Sequence, residues 1–295
     1  MSLKPSLDEW HAAGRHFPYQ GHDVFYRDSG GQRPALLLIH GFPTASWDFY
    51  RVWDALTARF RVLAPDLIGF GFSAKPRDYR YSLRDQAELC INLCARQQVG
   101  EVHVLAHDYG VSVAQELLAR HEEGRSALSL KSIAFLNGGL FPETHRALLI
   151  QRLMRSPLGP LIAARGSAER LAQSLRRVFG PNTPPDAAEC AAFWQLVSRE
   201  RGHLLFPKLI RYIDERKEQR NRWVSAMQFT KVPMRLINGS VDPVSGEHMV
   251  KRYQELIPSP DVVRLPGIGH YPQVEAPAAV LDAFVAFHQR LGAIA

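Results

Sequence analysis

Cysteine is scarce in this chain. Cys90, Cys94 and Cys190 are all that 295 residues contain, and three cannot all pair, which excludes a disulfide framework. Cys90 and Cys94 fall four apart on an expected helix without ligand-spaced partners, so buried reduced thiols are expected and a metal site is not. Long apolar runs are also missing. Nothing approaches the roughly 20 residues of a membrane span, and Met1 to Arg15 mixes Lys, Asp, Glu and His without an apolar core segment. The expectation is a soluble, unexported chain suited to a reducing cytoplasm. Internal repeats and low-complexity tracts are absent as well.

Charge of one sign is lacking over most of the chain. The formal balance is +7, but residues 140–223 hold 15 Lys+Arg against 8 Asp+Glu, and the remainder holds 21 of each. The basic excess therefore belongs to one segment. Its arginines are scattered at helical spacing and are not interleaved with stacking aromatics, which favours a solvated helical face over a nucleic-acid groove. An anionic membrane surface or an acidic partner stays open.

What is present is a 46% hydrophobic chain, long enough for one large α/β domain with an insertion. His22 to Arg27 alternates like an edge strand. Ala35 to Ile39 is a continuous apolar run of the buried parallel type, ending at His40-Gly41-Phe42-Pro43. Thr44 is a candidate N-cap before Trp47, Tyr50, Val52, Trp53 and Leu56 at helical spacing. Arg61 to Pro65 reads as a strand. The glycines of Asp66-Leu67-Ile68-Gly69-Phe70-Gly71 do not join a strand to a helix, so they are not a dinucleotide turn. Ser82 opens a helix to about Gln98, Tyr109 to His121 is a second, and Ile133 to Leu136 is a strand.

From Phe141 to about Trp223 the pattern is helical and broken by prolines, as in an inserted lid. Alternation then resumes at Pro233 to Ile237, with a helix from Glu247, a strand at Val262 to Leu265 and a last helix from Ala276 to Leu291. The expected architecture is α/β, a mostly parallel doubly wound sheet with an inserted helical cap. Residues 1–139 and 224–295 form the core and 140–223 the cap.

Ligands of such sheets bind beyond the carboxyl ends of the strands. One of those ends stands out. In Glu101 to Gly110 an apolar β-branched run stops at Asp108 and a helix begins, with the small residues Ala106 and Gly110 two positions to either side, as a sharp strained turn requires. Asp242, in Asn238-Gly239-Ser240-Val241-Asp242-Pro243, and His270, in Gly267-Ile268-Gly269-His270, each follow a later strand. Nucleophile, acid and base thus occur in the order of an α/β-hydrolase triad. A lone Asp or His of this kind is ordinarily a cap or a core residue; it is the combination that argues for catalysis.

An Asp nucleophile displaces at saturated carbon and leaves an alkyl ester, which water activated by His270 then cleaves. The backbone amides of Phe42 and Tyr109 are the expected oxyanion donors, with His40 beside them. Phe42, Trp47 and Phe141 either line an apolar pocket or fill the core. The expected partners are a small apolar organic substrate and water, with no nucleic acid, metal or organic cofactor.

Through His40-Gly41-Phe42-Pro43, His107-Asp108-Tyr109-Gly110, Asp242 and Gly269-His270 the chain resembles the epoxide hydrolase and haloalkane dehalogenase branch of the α/β-hydrolase fold. Within it, Ala114 to Leu118, Asn137-Gly138-Gly139 and Phe141 to Arg146 are most similar to the mesoderm-specific transcript proteins. The first resemblance implies two rival first steps. Epoxide hydrolases carry lid tyrosines that protonate the ring oxygen. Tyr212 matches that position; the paired tyrosine is absent, leaving His145 or His203 as a second donor. Haloalkane dehalogenases hold halide with a Trp after the nucleophile and an Asn before it, where this chain has Tyr109 and Phe42. Trp194 and Trp223 could still supply an indole N–H. Fluoroacetate dehalogenases carry arginines after the nucleophile to clamp a carboxylate, and Val111, Ser112 and Val113 occupy that region here. The reading is therefore an epoxide hydrolase, with haloalkane dehalogenase as the alternative and a non-catalytic binding or signalling protein as the rival of another class.

Overall fold

The computed structural model describes residues 5–146 and 148–294, so Met1 to Lys4 of the expected polar N-terminus, like Ala147 and Ala295, lie outside the described residues. Eight strands form one sheet: β1 Arg15–Tyr19, β2 His22–Asp28, β3 Ala35–Ile39, β4 Arg61–Pro65, β5 Glu101–Ala106, β6 Ser129–Phe135, β7 Met234–Gly239 and β8 Val262–Leu265. Their spatial order is β1-β2-β4-β3-β5-β6-β7-β8. Pairing is antiparallel from β1 to β2 and from β2 to β4, and parallel throughout the rest.

The helices α1 Leu7–Ala12, α2 Trp53–Thr57, α3 Leu83–Arg96 and α4 Tyr109–Glu122 come before β6. Between β6 and β7 lie α5 Leu149–Met154, α6 Gly159–Ala164, α7 Ala168–Val178, α8 Ala187–Ser198, α9 Phe206–Leu209 and α10 Tyr212–Phe229. The last of these runs on through the 223/224 boundary expected between cap and core. The chain closes with α11 Glu247–Leu256, α12 Pro272–Glu275 and α13 Pro277–Arg290. No helix among the described residues is long and apolar enough to cross a membrane.

The sheet separates two apolar layers, and the strands supply both by alternation. From β3, Leu37 and Ile39 enter the layer that also contains Leu89, Leu93 and Leu117, while Leu36 and Leu38 enter the one that contains Phe60 and Phe284. In β5, Val102, Val104 and Ala106 join the first layer and Leu105 the second. This is why the central strands read as unbroken apolar runs: each face is covered. Each fully buried leucine contributes about 2 kcal/mol. The three cysteines are buried and unbridged.

Local signals set the boundaries. Ser82 caps α3 by accepting from the Asp85 N–H at 3.1 Å, and α1 carries a capping box in which Ser6 and Glu9 satisfy each other's amides. Two expectations are corrected. First, β2 is not an edge strand, because β1 pairs along its outer side. Second, Thr44 does not cap a helix. Its hydroxyl donates to Asp48 Oδ2 at 2.6 Å, and the chain makes a 3-10 turn over Ser46–Phe49 before α2. Near the N-terminus, α1 buries Trp10, whose indole donates to Ser46 Oγ at 3.1 Å; a single anchoring tryptophan has no period to betray it.

Candidate active site

Asp108 sits between β5 and α4 with φ 45° and ψ −104°, a strained conformation for a residue with a side chain. Its surroundings hold it there. The Asp108 N–H donates to Asn137 O at 2.8 Å. Gly110 lets α4 start hard against β3, since a Cβ there would lie 2.3 Å from Ile39 O. Gly41 is needed for the same closeness: its Cβ would meet His107 Nδ1 at 2.8 Å and Asp108 Cβ at 2.9 Å.

The two carboxylate oxygens of Asp108 have different environments. Oδ2 accepts from the Phe42 N–H at 2.9 Å. The Tyr109 N–H, first of α4, finds no acceptor among the described residues. Oδ1 lies 3.8 Å from His270 Nε2 and 4.0 Å from Arg216 Nη2, close enough for charge attraction and too far for a hydrogen bond.

On its other side the His270 ring donates from Nδ1 to Asp242 Oδ2 at 2.7 Å. Asp242 is well supplied with further donors. Oδ2 also accepts from Asn137 Nδ2 at 2.9 Å, Ser245 Oγ at 2.7 Å and Ser245 N at 3.1 Å, and Oδ1 accepts from Val244 N at 2.8 Å. Burial opposes charge on Asp242, but His270 and these donors outweigh it and hold the carboxyl low, at about 2. Burial would likewise lower the His270 pKa. The Asp242 charge and hydrogen bond, helped by Asp108, reverse the sign and push it up to about 9.

The His270 loop is itself braced. The His270 N–H donates to Val178 O at 2.8 Å at the end of α7. Glu275 accepts through Oε2 from Gly269 N, Gly180 N and Thr183 Oγ1, and through Oε1 from Tyr271 N. Behind the site, His107 Nε2 donates to His270 O at 2.8 Å, and its Nδ1 lies 3.9 Å from Asp48 Oδ2. Burial and the nearby His270 lower His107 to about 3, while burial raises Asp48 well above the usual carboxylate range. Both shifts favour the uncharged forms, and the His107 ring fixes the His270 backbone.

A cavity of about 200 Å³ opens over Asp108. Phe42, Asp108, His270 and Tyr271 form its floor, and the inserted helices supply Ile150, Met154, Ile162, Leu171, Val197 and Phe206 among its walls, with Trp194 and His203. The family model for the alpha/beta hydrolase fold matches residues 34–277. The chain belongs to the alpha/beta hydrolase fold family. This α/β hydrolase is 40% identical over 296 residues to the mesoderm-specific transcript protein of Mus musculus, covering 97% of this chain and 88% of that one. Among solved structures it superposes on haloalkane dehalogenase DbeA from Bradyrhizobium elkani USDA94 with a TM-score of 0.79 at 22% identity, covering 95% of this chain and 98% of that one. For the epoxide hydrolase CorEH the TM-score is 0.76 at 21% identity, covering 94% and 99%. At such identity the structural likeness speaks for the fold alone.

The α/β hydrolase brings Asp108, His270, Asp242, Phe42 and the Tyr109 amide together and leaves other expected residues outside the cavity. His40 is buried below it, with Nδ1 donating to Gly41 O at 2.8 Å and Nε2 accepting from Leu67 N at 3.0 Å, so it holds two loops in place. Trp47 stacks on Tyr50 at 4.2 Å and donates to Pro5 O, packed in the core. Phe141 is fully buried against Tyr253. Trp223 spends its indole N–H on Glu116 Oε2 at 2.8 Å. His203 is on the wall, and His145 is not.

Tyr212 is also off the cavity wall. Its ring is buried edge-on to Tyr109 at 5.1 Å, lies 6.1 Å from Phe42, and has the Arg216 guanidinium 4.4 Å from its centroid. Burial and the Asp108 charge raise its pKa, keeping the phenol protonated. Arg216 is the residue that sequence reasoning missed. It is buried, and it donates from Nη2 to Asp108 O at 2.9 Å and from Nε to Ser112 Oγ at 2.6 Å. The available signal was its position four residues after Tyr212, on the same face of α10.

Proposed function

We propose that this α/β hydrolase works through an ester of Asp108 and that its substrate is an apolar epoxide, opened to a diol. The observation that carries the reading is the asymmetry of the Asp108 carboxylate. Oδ2 rests on the Phe42 amide, where an oxyanion would need it, and Oδ1 is without a hydrogen bond. In this scheme Oδ1 attacks a ring carbon, the ring C–O bond breaks, and the released oxygen takes the Tyr212 proton, a step that requires the phenol, packed beside Phe42 and Tyr109, to turn toward the cavity. A β-hydroxyalkyl ester remains.

Esterification removes one of the charges holding the proton on His270. That proton leaves to solvent, and the imidazole becomes the base. It takes a proton from water, whose oxygen adds to the Asp108 carboxyl carbon. Charge collects on Oδ2 against the Phe42 and Tyr109 amides. Collapse expels the diol oxygen, which takes the His270 proton, the remaining water proton restores Tyr212, and His270 regains its own proton from solvent. The division into a core of 1–139 and 224–295 and a cap of 140–223 belongs to the same proposal, with the cap supplying the apolar walls. The reaction as drawn uses no metal or organic cofactor.

One turnover in oxygen-18 water tests it: label is expected in Asp108 and absent from the first diol. Label entering that diol directly would overturn the ester. His270→Gln is expected to accumulate the ester as a mass increment on the protein. No increment with any epoxide or haloalkane would favour a non-catalytic binding role. One observation favours a second reading, haloalkane dehalogenation, because the Trp194 ring is on the cavity wall. Halide release from bromoalkanes with epoxides left intact would select it.

A further inference from the structure

The outer face of α5 and α6 is apolar where a solvated face is normally polar. Leu149 is 71% exposed, Leu161 59% and Leu158 55%, with Ile150 and Leu153 also exposed. Five of the eight large apolar side chains exposed among the described residues therefore fall within residues 149–161. In α5, Leu149 and Leu153 are four apart and share a face; in α6 and its N-cap, Leu158 and Leu161 are three apart and do the same.

The same stretch is strongly basic. Residues 148–178 contain six arginines and one acid, Glu169. Arg155 pairs with Asp214, whereas Arg152, Arg165, Arg176 and Arg177 make no ion pair among the described residues. Apolar side chains interspersed along the chain with arginines that make no ion pair are the composition of a segment that lies in a membrane interface. A second copy of the chain is a poor occupant, because a two-fold contact would bring two like-charged segments together.

The patch is continuous with the cavity. Ile150 is both on the outer surface and on the cavity wall, and Met154 and Ile162, on the same two helices, face inward. We infer that α5 and α6 dock this enzyme on an anionic lipid surface, so that an apolar substrate passes from the bilayer into the cavity without crossing water. The helices lie on the membrane and do not span it. The direction of delivery rests on the proposed function, but the docking does not.

Flotation of the full chain with vesicles tests the docking directly. Wild type is expected to float with phosphatidylcholine vesicles containing a third phosphatidylserine, and to bind pure phosphatidylcholine at least tenfold more weakly. Replacing Leu149, Leu153, Leu158 and Leu161 by Ser should abolish flotation with the folded circular dichroism spectrum unchanged. Arg152→Gln, Arg176→Gln and Arg177→Gln should each lower the partition coefficient about fivefold in low salt. Wild type remaining unbound at low salt, equal binding by the leucine variant, or dimers that the leucine variant dissociates would overturn the proposal. Turnover of a water-soluble epoxide, measured without vesicles, reports separately on the chemistry.

Discussion

Raising the pH through the His270 titration should weaken the fold by an amount that the site geometry sets. In the folded protein this imidazole has a pKa of about 9, against 6.5 for the free side chain. A raised cation pKa means that the folded state binds the proton more tightly. The stabilisation is complete below about pH 6.5 and is lost as the pH rises through 9. About 2.5 pH units at about 1.4 kcal/mol each gives roughly 3 kcal/mol.

Urea midpoints of wild type and His270→Gln, compared from pH 6 to pH 9.5, isolate that contribution. The difference matters because Lys75, lowered to about 8 chiefly by burial, gains stability over an overlapping range and must be subtracted. Wild type should lose roughly 3 kcal/mol relative to the variant. Asp242→Asn should remove most of the effect, since Asp242 supplies the leading attraction, and Asp108→Asn a smaller part. Parallel profiles for wild type and His270→Gln would refute the claim that the pair holds the imidazole charged.

Three further outcomes are expected. Tyr212→Phe should slow ester formation from epoxides about 100-fold or more while leaving hydrolysis of the formed ester unchanged; equal losses in both steps would reduce Tyr212 to packing. Arg216→Leu strands the Asp108 carbonyl and the Ser112 hydroxyl and should cost about 2–4 kcal/mol in a urea titration, with Arg216→Lys intermediate because it keeps charge without the planar fork. Gly110→Ala should cost about 3 kcal/mol or more, because its Cβ would press on Ile39 O at 2.3 Å and force α4 off β3; a melting point within 2 °C of wild type would mean that the elbow yields more readily than its packing indicates.

The parts of this molecule that local chemistry dictates were legible in the chain. The β5 run, the Ser82 cap, the sharp turn at Asp108 and the placement of Asp242 and His270 past later strands all follow from period, capping and glycine. Residues whose meaning comes from a distant partner were not. Trp10 gains its place from Ser46, and Glu275 from residues 180 and 183. Arg216 reads as one more arginine of a basic segment, marked only by its spacing from Tyr212, until folding brings it beside Asp108. Trp47 illustrates the converse: an aromatic close in sequence to the site turns out to serve the core beneath it. Tyr212 is expected as a lid residue, and its position behind Phe42 and Tyr109 depends on how α10 lies across α4, which spacing along the chain does not specify.

The Glu275 carboxylate gathers amides from two parts of the chain, the Gly269 to Tyr271 loop and the Gly180 turn after α7, and the His270 amide adds a bond to Val178. The inserted helices and the loop bearing the base are thus sewn along one seam. Grafting residues 140–223 from another family member onto this chain would tear that seam unless the donor's 178–183 backbone presents the same amides to Glu275. Under the proposed function, substrate range would be set by the insert and competence of His270 by the seam, so the two would be inherited together rather than as separable modules.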